Sequence, residues 1–406
     1  MKIVFGLNVV RQKFYQMMDE SRDIMKLGFD IFLEKYIEKY KGKRIGLITN
    51  LTGVNQKLVP IIDIFYEHPE IHLTALYAPE HGIRGDAKEG EKVGFSVDER
   101  TGLPVYSLYG ETRKPTAEML EPVDVLVFDL QDIGARYYTF IYTMAYVMEA
   151  CKEHQKEFVV LDRPNPVSGE KKEGNLLDDG IRSFVGLYPI PNRHGLTVGE
   201  LAHIYKHEFH INCELTVVQM EGWSRSMYYD ETSLFWVPPS PNTTGMDMCI
   251  LYPGTCLVEG TNLSEGRGTT RPFEYIGAPY VDGFTLAKRF NENRLAGVIA
   301  RPISFQPTYQ KHNGVRCEGV QLHVSDREKI EPVKVGVTLL ANIAELYPDD
   351  FEFISTDQKR YFFDLLAGTK QLREDILTGN LDGYFQKCAT DIAKFEKFCS
   401  PYYLYK

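Results

Sequence analysis

The stretch Val123–Asp162, VDVLVFDLQDIGARYYTFIYTMAYVMEACKEHQKEFVVLD, decides the fold. It opens with a continuous apolar run that ends in Asp129, and a segment with helical spacing follows over Phe140–His154. A second apolar run, Phe158–Asp162, closes the stretch. Two apolar strands joined by a helix are typical of parallel strands that are buried on both faces. The sequence therefore predicts a parallel α/β sheet.

The same alternation continues on both sides of this stretch. The further predicted strands are Arg44–Asn50, His72–Ala78, Leu103–Leu108 and Leu215–Met220, and the further predicted helices are Leu58–Tyr66 and Leu196–Phe209. Thr197 and Glu200 have the spacing of a capping box at the start of the last helix. The fold class that follows is α/β, a mainly parallel sheet covered by helices on both faces in three αβα layers.

A change in composition predicts a domain boundary. Residues 237–279 are dense in Gly, Pro, Ser and Thr, as in an interdomain linker or a long functional loop system. Beyond them, predicted helices surround one short strand, and their ranges are Gly283–Asn291, Val333–Tyr347 and Asp357–Gln386, with the strand at Val315–Val324. We therefore divide the chain into a helical N-terminal extension (1–27), a sheet domain (28–243) and a smaller α/β domain (244–406).

Composition excludes several classes of protein. The chain has 406 residues, 56 acidic against 46 basic, and a formal charge of −10, which disfavours a nucleic-acid-binding protein. No run approaches the roughly 18 apolar residues of a membrane helix, so we expect no membrane insertion. Seven scattered cysteines without a C-x-x-C pair favour free thiols in a reducing compartment. Since no signal peptide is visible either, we expect a cytoplasmic protein.

Polar residues follow the predicted strands, and the carboxyl ends of parallel strands meet at one edge of a sheet. The candidates there are Asn50, Glu80, His81, Asp129, Asp132, Arg136, Arg163 and Asn165. Glu80 ranks first because it leaves an apolar strand between a proline and an imidazole, surroundings that suit a general acid. Asp129 and Asn165 could equally cap turns or neighbouring helices.

Two loops add further candidates. The loop Arg193–Gly195 contains a cation and an imidazole, Arg193 and His194, and is predicted to contact substrate. The Gly/Thr-rich segment carries Glu259, Asn262, Glu265 and Arg267, whose groups match those that sugar hydroxyls require, although a solvated loop would have the same composition. Neither G-x-G-x-x-G nor G-x-x-x-x-G-K-[ST] occurs, and HEFH is not H-E-x-x-H. We therefore predict no cofactor and no metal.

Ten motifs in this order resemble the NamZ family of exo-β-N-acetylmuramidases, a former domain of unknown function, over roughly residues 28–400. They are ITNLTG, APEHGIRG, LYG, VFDLQDIGARYYTF, LDRPNPVSG, RHGLTVGEL, PPSPN, YPGT, LVEGTNLSEGRGTTRPFE and GAPY. The resemblance implies a Rossmann-like domain, a smaller C-terminal domain and an active site in the cleft between them. It also implies release of N-acetylmuramic acid from the non-reducing end of saccharides such as MurNAc–GlcNAc, in cell-wall turnover or recycling.

The resemblance assigns roles to individual residues. Glu80 becomes the leading catalytic carboxylate, and the adjacent His81 is a candidate either to orient Glu80 or to contact the ligand. The second group is one of Asp129, Asp132, Glu259 and Glu265, or the 2-acetamido group of the substrate itself. The lactyl carboxylate of muramic acid requires a cation. The arginines in the matching motifs are Arg84, Arg136, Arg163, Arg193, Arg267 and Arg271, and the other implied substrate contacts are Asn50, Tyr137, Asn165, His194, Asn242 and Asn262.

Other interpretations remain open from the sequence. The same scaffold could hold a non-catalytic muropeptide- or sugar-binding protein, or a hydrolase acting on the peptide or the lactyl ether of muramic acid. Many members of the family carry export signals, so a periplasmic or secreted location is the alternative to the cytoplasm. The oligomeric state is left open.

Overall fold

The computed structural model describes residues 25–80, 82–84, 95–109, 112–356 and 360–406. His81 and nearly all of the predicted N-terminal extension lie outside the described residues. Within them, the larger sheet has seven strands in the order β3–β4–β2–β1–β5–β6–β7. Their bounds are β1 Arg44–Thr49, β2 His72–Ala78, β3 Ser96–Val97, β4 Pro104–Ser107, β5 Val125–Asp129, β6 Glu157–Leu161 and β7 Glu214–Val218.

The sheet is parallel except at one edge. Only β3, which pairs with β4, runs antiparallel, and every other pair is parallel. The order of the parallel strands is that of a doubly wound Rossmann sheet, with β1 and β5 at the switch point where the order reverses. The predicted α/β fold class is confirmed.

Alternating side chains of the central strands enter two separate cores. Val125 and Val127 of β5 pack into one apolar cluster, whereas Leu126 and Phe128 pack into the other. Helices cover both faces, and their bounds are α1 Gly28–Lys35, α2 Ile37–Tyr40, α3 Ile61–Glu67, α4 Ala117–Leu120, α5 Phe140–Glu153 and α6 Val198–His207. Burial on both faces explains why these strands are continuous apolar runs in the sequence.

The predicted capping box at α6 is present. The Thr197 hydroxyl accepts a hydrogen bond from the Glu200 N–H at 3.2 Å, and Glu200 Oε2 accepts one from the Thr197 N–H at 3.0 Å. The other oxygen of Glu200 accepts from Arg225 and, at 3.0 Å, from the N–H of Leu404. The cap therefore also attaches the C-terminal residues to the sheet domain.

The C-terminal region is built around an antiparallel sheet with β10 in the centre. Its strands are β8 Tyr275–Ala278, β9 Val298–Phe305 and β10 Cys317–Val324, and its helices are α7 Met246–Thr255, α8 Gly283–Glu292, α9 Pro332–Leu346, α10 Phe362–Ala367, α11 Gln371–Thr378 and α12 Leu381–Cys399. The prediction of one helix over Asp357–Gln386 was wrong. Gly368 and Gly379, both with φ near +70°, end α10 and α11 and turn the chain.

The interpretation of residues 237–279 as linker or loop was wrong for α7. This helix is buried and crosses α9 at Gly254 and Gly336, where the two backbones touch. A Cβ atom on Gly254 would lie 1.7 Å from the carbonyl oxygen of Pro332. The residues that resemble a turn, YPGT, thus allow close helix packing. No helix among the described residues is long and apolar enough to cross a membrane.

Candidate active site

A cavity of about 190 Å³ lies between the parallel-sheet region and the C-terminal region. The loops that follow β2, β4 and β5 form one side of it, together with Phe184 and Val185. The other side comes from α7, the 3₁₀ turn Cys256–Gly260, Arg267 and α10. A cleft between two domains is where the family resemblance implied the active site. The cavity contains Glu80, the residue ranked first from the sequence as a candidate catalytic acid.

Glu80 enters the cavity from the end of β2, two residues beyond Ala78, and its side chain is half-buried. The hydroxyl group of Thr139, which precedes α5, donates to Glu80 Oε2 at 3.3 Å. The loop after β5 therefore holds the carboxylate that follows β2. The predicted convergence of strand ends accounts for this contact.

Glu259 is the second carboxylate that lines the cavity. It lies in the 3₁₀ turn, and its Oε1 accepts from Arg267 Nη2 at 2.9 Å and from Cys256 Sγ at 3.4 Å. Arg267 Nε also lies 3.4 Å from Glu265 Oε1, and Lys311 Nζ lies 2.9 Å from Glu265 Oε2. Glu259, Arg267, Glu265 and Lys311 thus form a chain of side chains that alternate in charge.

Three tyrosines form much of the cavity wall. Tyr252 packs edge-on against Tyr137 and Tyr138, with ring centres 5.7 and 6.2 Å away, and the Tyr137 hydroxyl donates to the Pro253 carbonyl. Burial raises the pKa of all three phenols well above the ordinary value. They are therefore neutral at physiological pH.

Four predicted strand-end residues have partners of their own and do not line this cavity. Arg163 donates to both oxygens of Asp129, at 2.5 and 2.9 Å, and both side chains are almost fully buried. Asn50 Oδ1 accepts from the N–H and the hydroxyl of Thr52. Asn165 spans a loop, since it accepts from the Val167 N–H and donates to the Leu196 carbonyl.

Asp132 and His194 form a buried pair behind the cavity wall. The Leu196 N–H donates to His194 Nδ1 at 3.2 Å, which assigns the ring proton to Nε2, and Nε2 lies 3.1 Å from Asp132 Oδ2. The charge of Asp132 contributes, after burial, to the raised pKa of Tyr138. Asp132 therefore affects Tyr138, which lines the cavity, and does not line the cavity itself.

Most of the arginines implied by the resemblance have other partners. Arg136 is fully buried and donates to four backbone carbonyls, and Arg193 donates to the Val167 carbonyl. Arg84 pairs with Asp98 at 2.8 and 3.1 Å. Arg271 lies 3.4 Å from Glu274 and is 52% exposed. Of the six, Arg267 is the one that lines the cavity.

Two further predicted substrate contacts lie in loops, Asn242 before α7 and Asn262 after the 3₁₀ turn Cys256–Gly260. Asn242 Oδ1 accepts from the Tyr309 hydroxyl at 2.9 Å. Asn262 accepts from Tyr280 and donates to the Asp350 carbonyl, so it joins two loops. Neither asparagine lines the cavity.

Several residues of the cavity were missed at the sequence level. Tyr138 and Thr139 lie inside the motif VFDLQDIGARYYTF, and Tyr109 lies inside LYG. Their position in the family motifs could therefore have identified them as site residues. Phe184 and Phe362 lie outside all ten motifs and give no local signal. Over the described ranges, no group of three or more His, Cys, Asp and Glu side chains could hold a metal ion.

Comparisons with known proteins agree along the whole fold. The N-terminal model of the exo-β-N-acetylmuramidase NamZ family matches residues 45–247, and the C-terminal model matches residues 250–405. The peptidoglycan β-N-acetylmuramidase NamZ of Bacillus subtilis (strain 168) is 51% identical over 382 residues, which cover 94% of this chain and 91% of that protein.

Two solved structures of DUF1343 family proteins from Bacteroides fragilis NCTC 9343 superpose on this fold. The first has a TM-score of 0.88 at 41% identity and covers 95% of this chain and 100% of its own. The second has a TM-score of 0.76 at 30% identity and covers 94% and 99%. With both family models matched in order, the chain belongs to the NamZ family of exo-β-N-acetylmuramidases.

Proposed function

We propose that this chain is an exo-acting β-N-acetylmuramidase that releases N-acetylmuramic acid from the non-reducing end of peptidoglycan fragments such as MurNAc–GlcNAc. The observation that carries the proposal is the placement of Glu80 and Glu259 in one cavity of a chain from this family. The cavity, about 190 Å³, is smaller than pockets for drug-sized ligands. The exo mode of action that we propose is that of the matching family.

In the proposed reaction, water is added across the glycosidic bond. Glu80 gives its proton to the leaving oxygen, and the electron pair of the C1–O bond goes to that oxygen. Water attacks C1 and passes one proton to ionised Glu259, which leaves Glu80 ionised and Glu259 protonated. Exchange of one proton through solvent restores the starting state.

Among the carboxylates that could be the second catalytic group, Glu259 is favoured because of the contacts that each of them makes. Asp129 is neutralised by Arg163 at the switch point, and Asp132 lies behind the wall with His194. Glu265 lies between Arg267 and Lys311, outside the cavity lining. Glu259 lines the cavity, where its Oε1 accepts hydrogen bonds from Arg267 Nη2 and Cys256 Sγ.

Turnover of 4-nitrophenyl β-N-acetylmuramide tests the activity, and the corresponding β-N-acetylglucosaminide is the control substrate. Release of N-acetylmuramic acid from MurNAc–GlcNAc, identified by mass spectrometry, distinguishes glycosidic cleavage from cleavage of the lactyl ether. A folded sample that binds the muramide without releasing nitrophenol would identify a binding protein instead.

The acid role of Glu80 has its own signature. Glu80→Gln is expected to lower kcat/KM on MurNAc–GlcNAc by roughly 10²- to 10⁴-fold, the range of general acid catalysis. The loss on the nitrophenyl substrate is expected to be much smaller, because nitrophenolate departs without a proton. Glu259→Gln should impair both substrates equally. Glu345→Gln, which removes an exposed carboxylate paired with Arg289, is the matched control.

We propose a cytoplasmic role in recycling for the enzyme. All seven cysteines are buried free thiols, which fits a reducing compartment. Fractionation of cells that express the natural gene, followed by immunodetection, tests this location. Recovery in the periplasm or the medium would place the enzyme in wall turnover outside the cell.

A further inference from the structure

Six arginines were implied as partners of the lactyl carboxylate, and the one that lines the cavity is already paired with carboxylates of the protein. Arg267 lines it, but its guanidinium lies between Glu259 and Glu265 at 2.9 and 3.4 Å. A substrate carboxylate at Arg267 would have to compete with a carboxylate that is already in place. The protein as a whole carries a formal charge of −10, so an acidic sugar gains nothing from the overall field.

Arg113 presents a different arrangement at the rim of the cavity. Its guanidinium carbon lies 3.8 Å from the ring centre of Phe184, and Phe184 itself lines the cavity. Phe184 packs in turn against Tyr109, another lining residue, with ring centres 5.9 Å apart, and against Tyr146 at 6.4 Å. Cation–π attraction to the ring of Phe184 favours this position of the exposed arginine.

The charge of Arg113 is not neutralised within the described part of the chain, where no carboxylate forms an ion pair with it. The neighbouring Lys114, by contrast, lies 2.8 Å from Glu153 and 4.0 Å from Glu149. A guanidinium whose carbon lies over an aromatic ring can still donate N–H hydrogen bonds to a carboxylate. The loop after β4 therefore presents an ordered cation beside the cavity that contains Glu80.

We propose that Arg113 binds the lactyl carboxylate of N-acetylmuramic acid and thereby selects the carboxylated sugar over N-acetylglucosamine. This inference rests on the proposed function and names the specificity determinant of the same cavity. Phe184 acts as the positioning residue, because it lines the cavity and supports the guanidinium. Arg267 instead contacts Glu259, with its Nη2 2.9 Å from Glu259 Oε1.

The test compares N-acetylmuramic acid with its methyl ester, which keeps the shape of the lactyl group and removes its charge. Isothermal titration calorimetry measures both dissociation constants for the wild type, Arg113→Gln and Arg316→Gln. Arg316 is 72% exposed, lies just before β10 and pairs with Glu318. Arg316→Gln is the control because it changes the net charge by the same amount as Arg113→Gln. Thermal unfolding of each variant verifies that it is folded.

The wild type is expected to bind the acid about 10- to 100-fold more tightly than the ester, the range for a hydrogen-bonded charged pair. Arg113→Gln should lose this preference and bind the ester as the wild type does, whereas Arg316→Gln should keep it. On the chromogenic muramide, Arg113→Gln should raise KM and leave kcat within a few-fold. Added salt should reduce the preference of the wild type, since the site is exposed.

An Arg113→Gln protein that keeps the full preference for the acid overturns the assignment, and so does a wild type that binds acid and ester equally. The two proposals fail separately. If the wild type releases no nitrophenol yet prefers the acid, the proposed activity fails and Arg113 still recognises the sugar. If it turns over the muramide with no preference for the acid, the role of Arg113 fails alone.

Discussion

Replacing Arg136 with methionine separates a structural arginine from a substrate-binding one. Its guanidinium is fully buried and donates to the carbonyls of Asn175 and Ile190 at 2.7 and 3.0 Å, and to those of Leu366 and Ala367 at 3.1 and 2.7 Å. The first two carbonyls belong to the sheet domain, and the other two end α10 of the C-terminal region. Arg136 therefore joins both sides of the cleft.

Two effects of the substitution oppose each other. Methionine removes the cost of burying a charge, a cost that is visible in the lowered pKa of Arg136. It also leaves four buried carbonyls without their donor, and each unsatisfied group costs about 1–3 kcal/mol. The second effect should dominate because the carbonyls belong to the backbone and cannot leave. At the lower end, the loss in the free energy of unfolding is about 4 kcal/mol.

Urea denaturation followed by circular dichroism measures this loss, with Arg316→Gln as the exposed control. Arg136→Lys should fall between the wild type and Arg136→Met, since an ammonium group offers fewer donors in a different geometry. The reasoning would be refuted if Arg136→Met unfolded within about 1 kcal/mol of the wild type. If KM for the muramide then rose tenfold or more, Arg136 would be a substrate contact.

Two further outcomes test the packing and the buried charges. Burial raises the pKa of Asp162 to about 7, so its stabilising contribution is present below the ordinary pKa and is lost as the pH rises through about 7. Asp162→Asn should therefore reduce the fall in melting temperature between pH 5 and pH 8, and an unchanged fall would contradict that cause. Gly254→Ala should lower the melting temperature because the new Cβ meets the backbone of α9, whereas Gly383→Ala, at an open helical position, should raise it slightly. Equal effects of the two alanines would rule out the contact between α7 and α9.

The central strands that the sequence predicted correctly share one property, burial on both faces. β1, β5 and β6 are continuous apolar runs because helices cover both sides of the sheet, so local pattern and tertiary position coincide. In α7 they do not coincide. Its residues YPGT have the composition of a turn, and the helix is stable there because Gly254 and Gly336 let two backbones meet.

The candidate site divides in the same way. Glu80 was predictable because parallel strands of one sheet end at one edge, which brings the residue after β2 near the loop after β5. The pairing of Asp129 with Arg163 was not predictable, although both are strand-end residues. The parallel strands predict which side chains lie together at the carboxyl edge of the sheet. Which of these charges are neutralised depends on the ion pairs that form in the folded protein.

By itself, then, the sequence determined the layered α/β fold, the rank of Glu80 and the membership of the family, because periodic burial and contiguous motifs are local properties of a chain. Only the tertiary structure decided that Glu259 lines the cavity with Glu80, that Arg136 and Arg163 are internal, and that Arg113 is held at the rim. These depend on how the C-terminal region docks and on which opposite charges meet across long separations in sequence. The free energy of that docking comes from contacts between distant residues, and no local pattern records it.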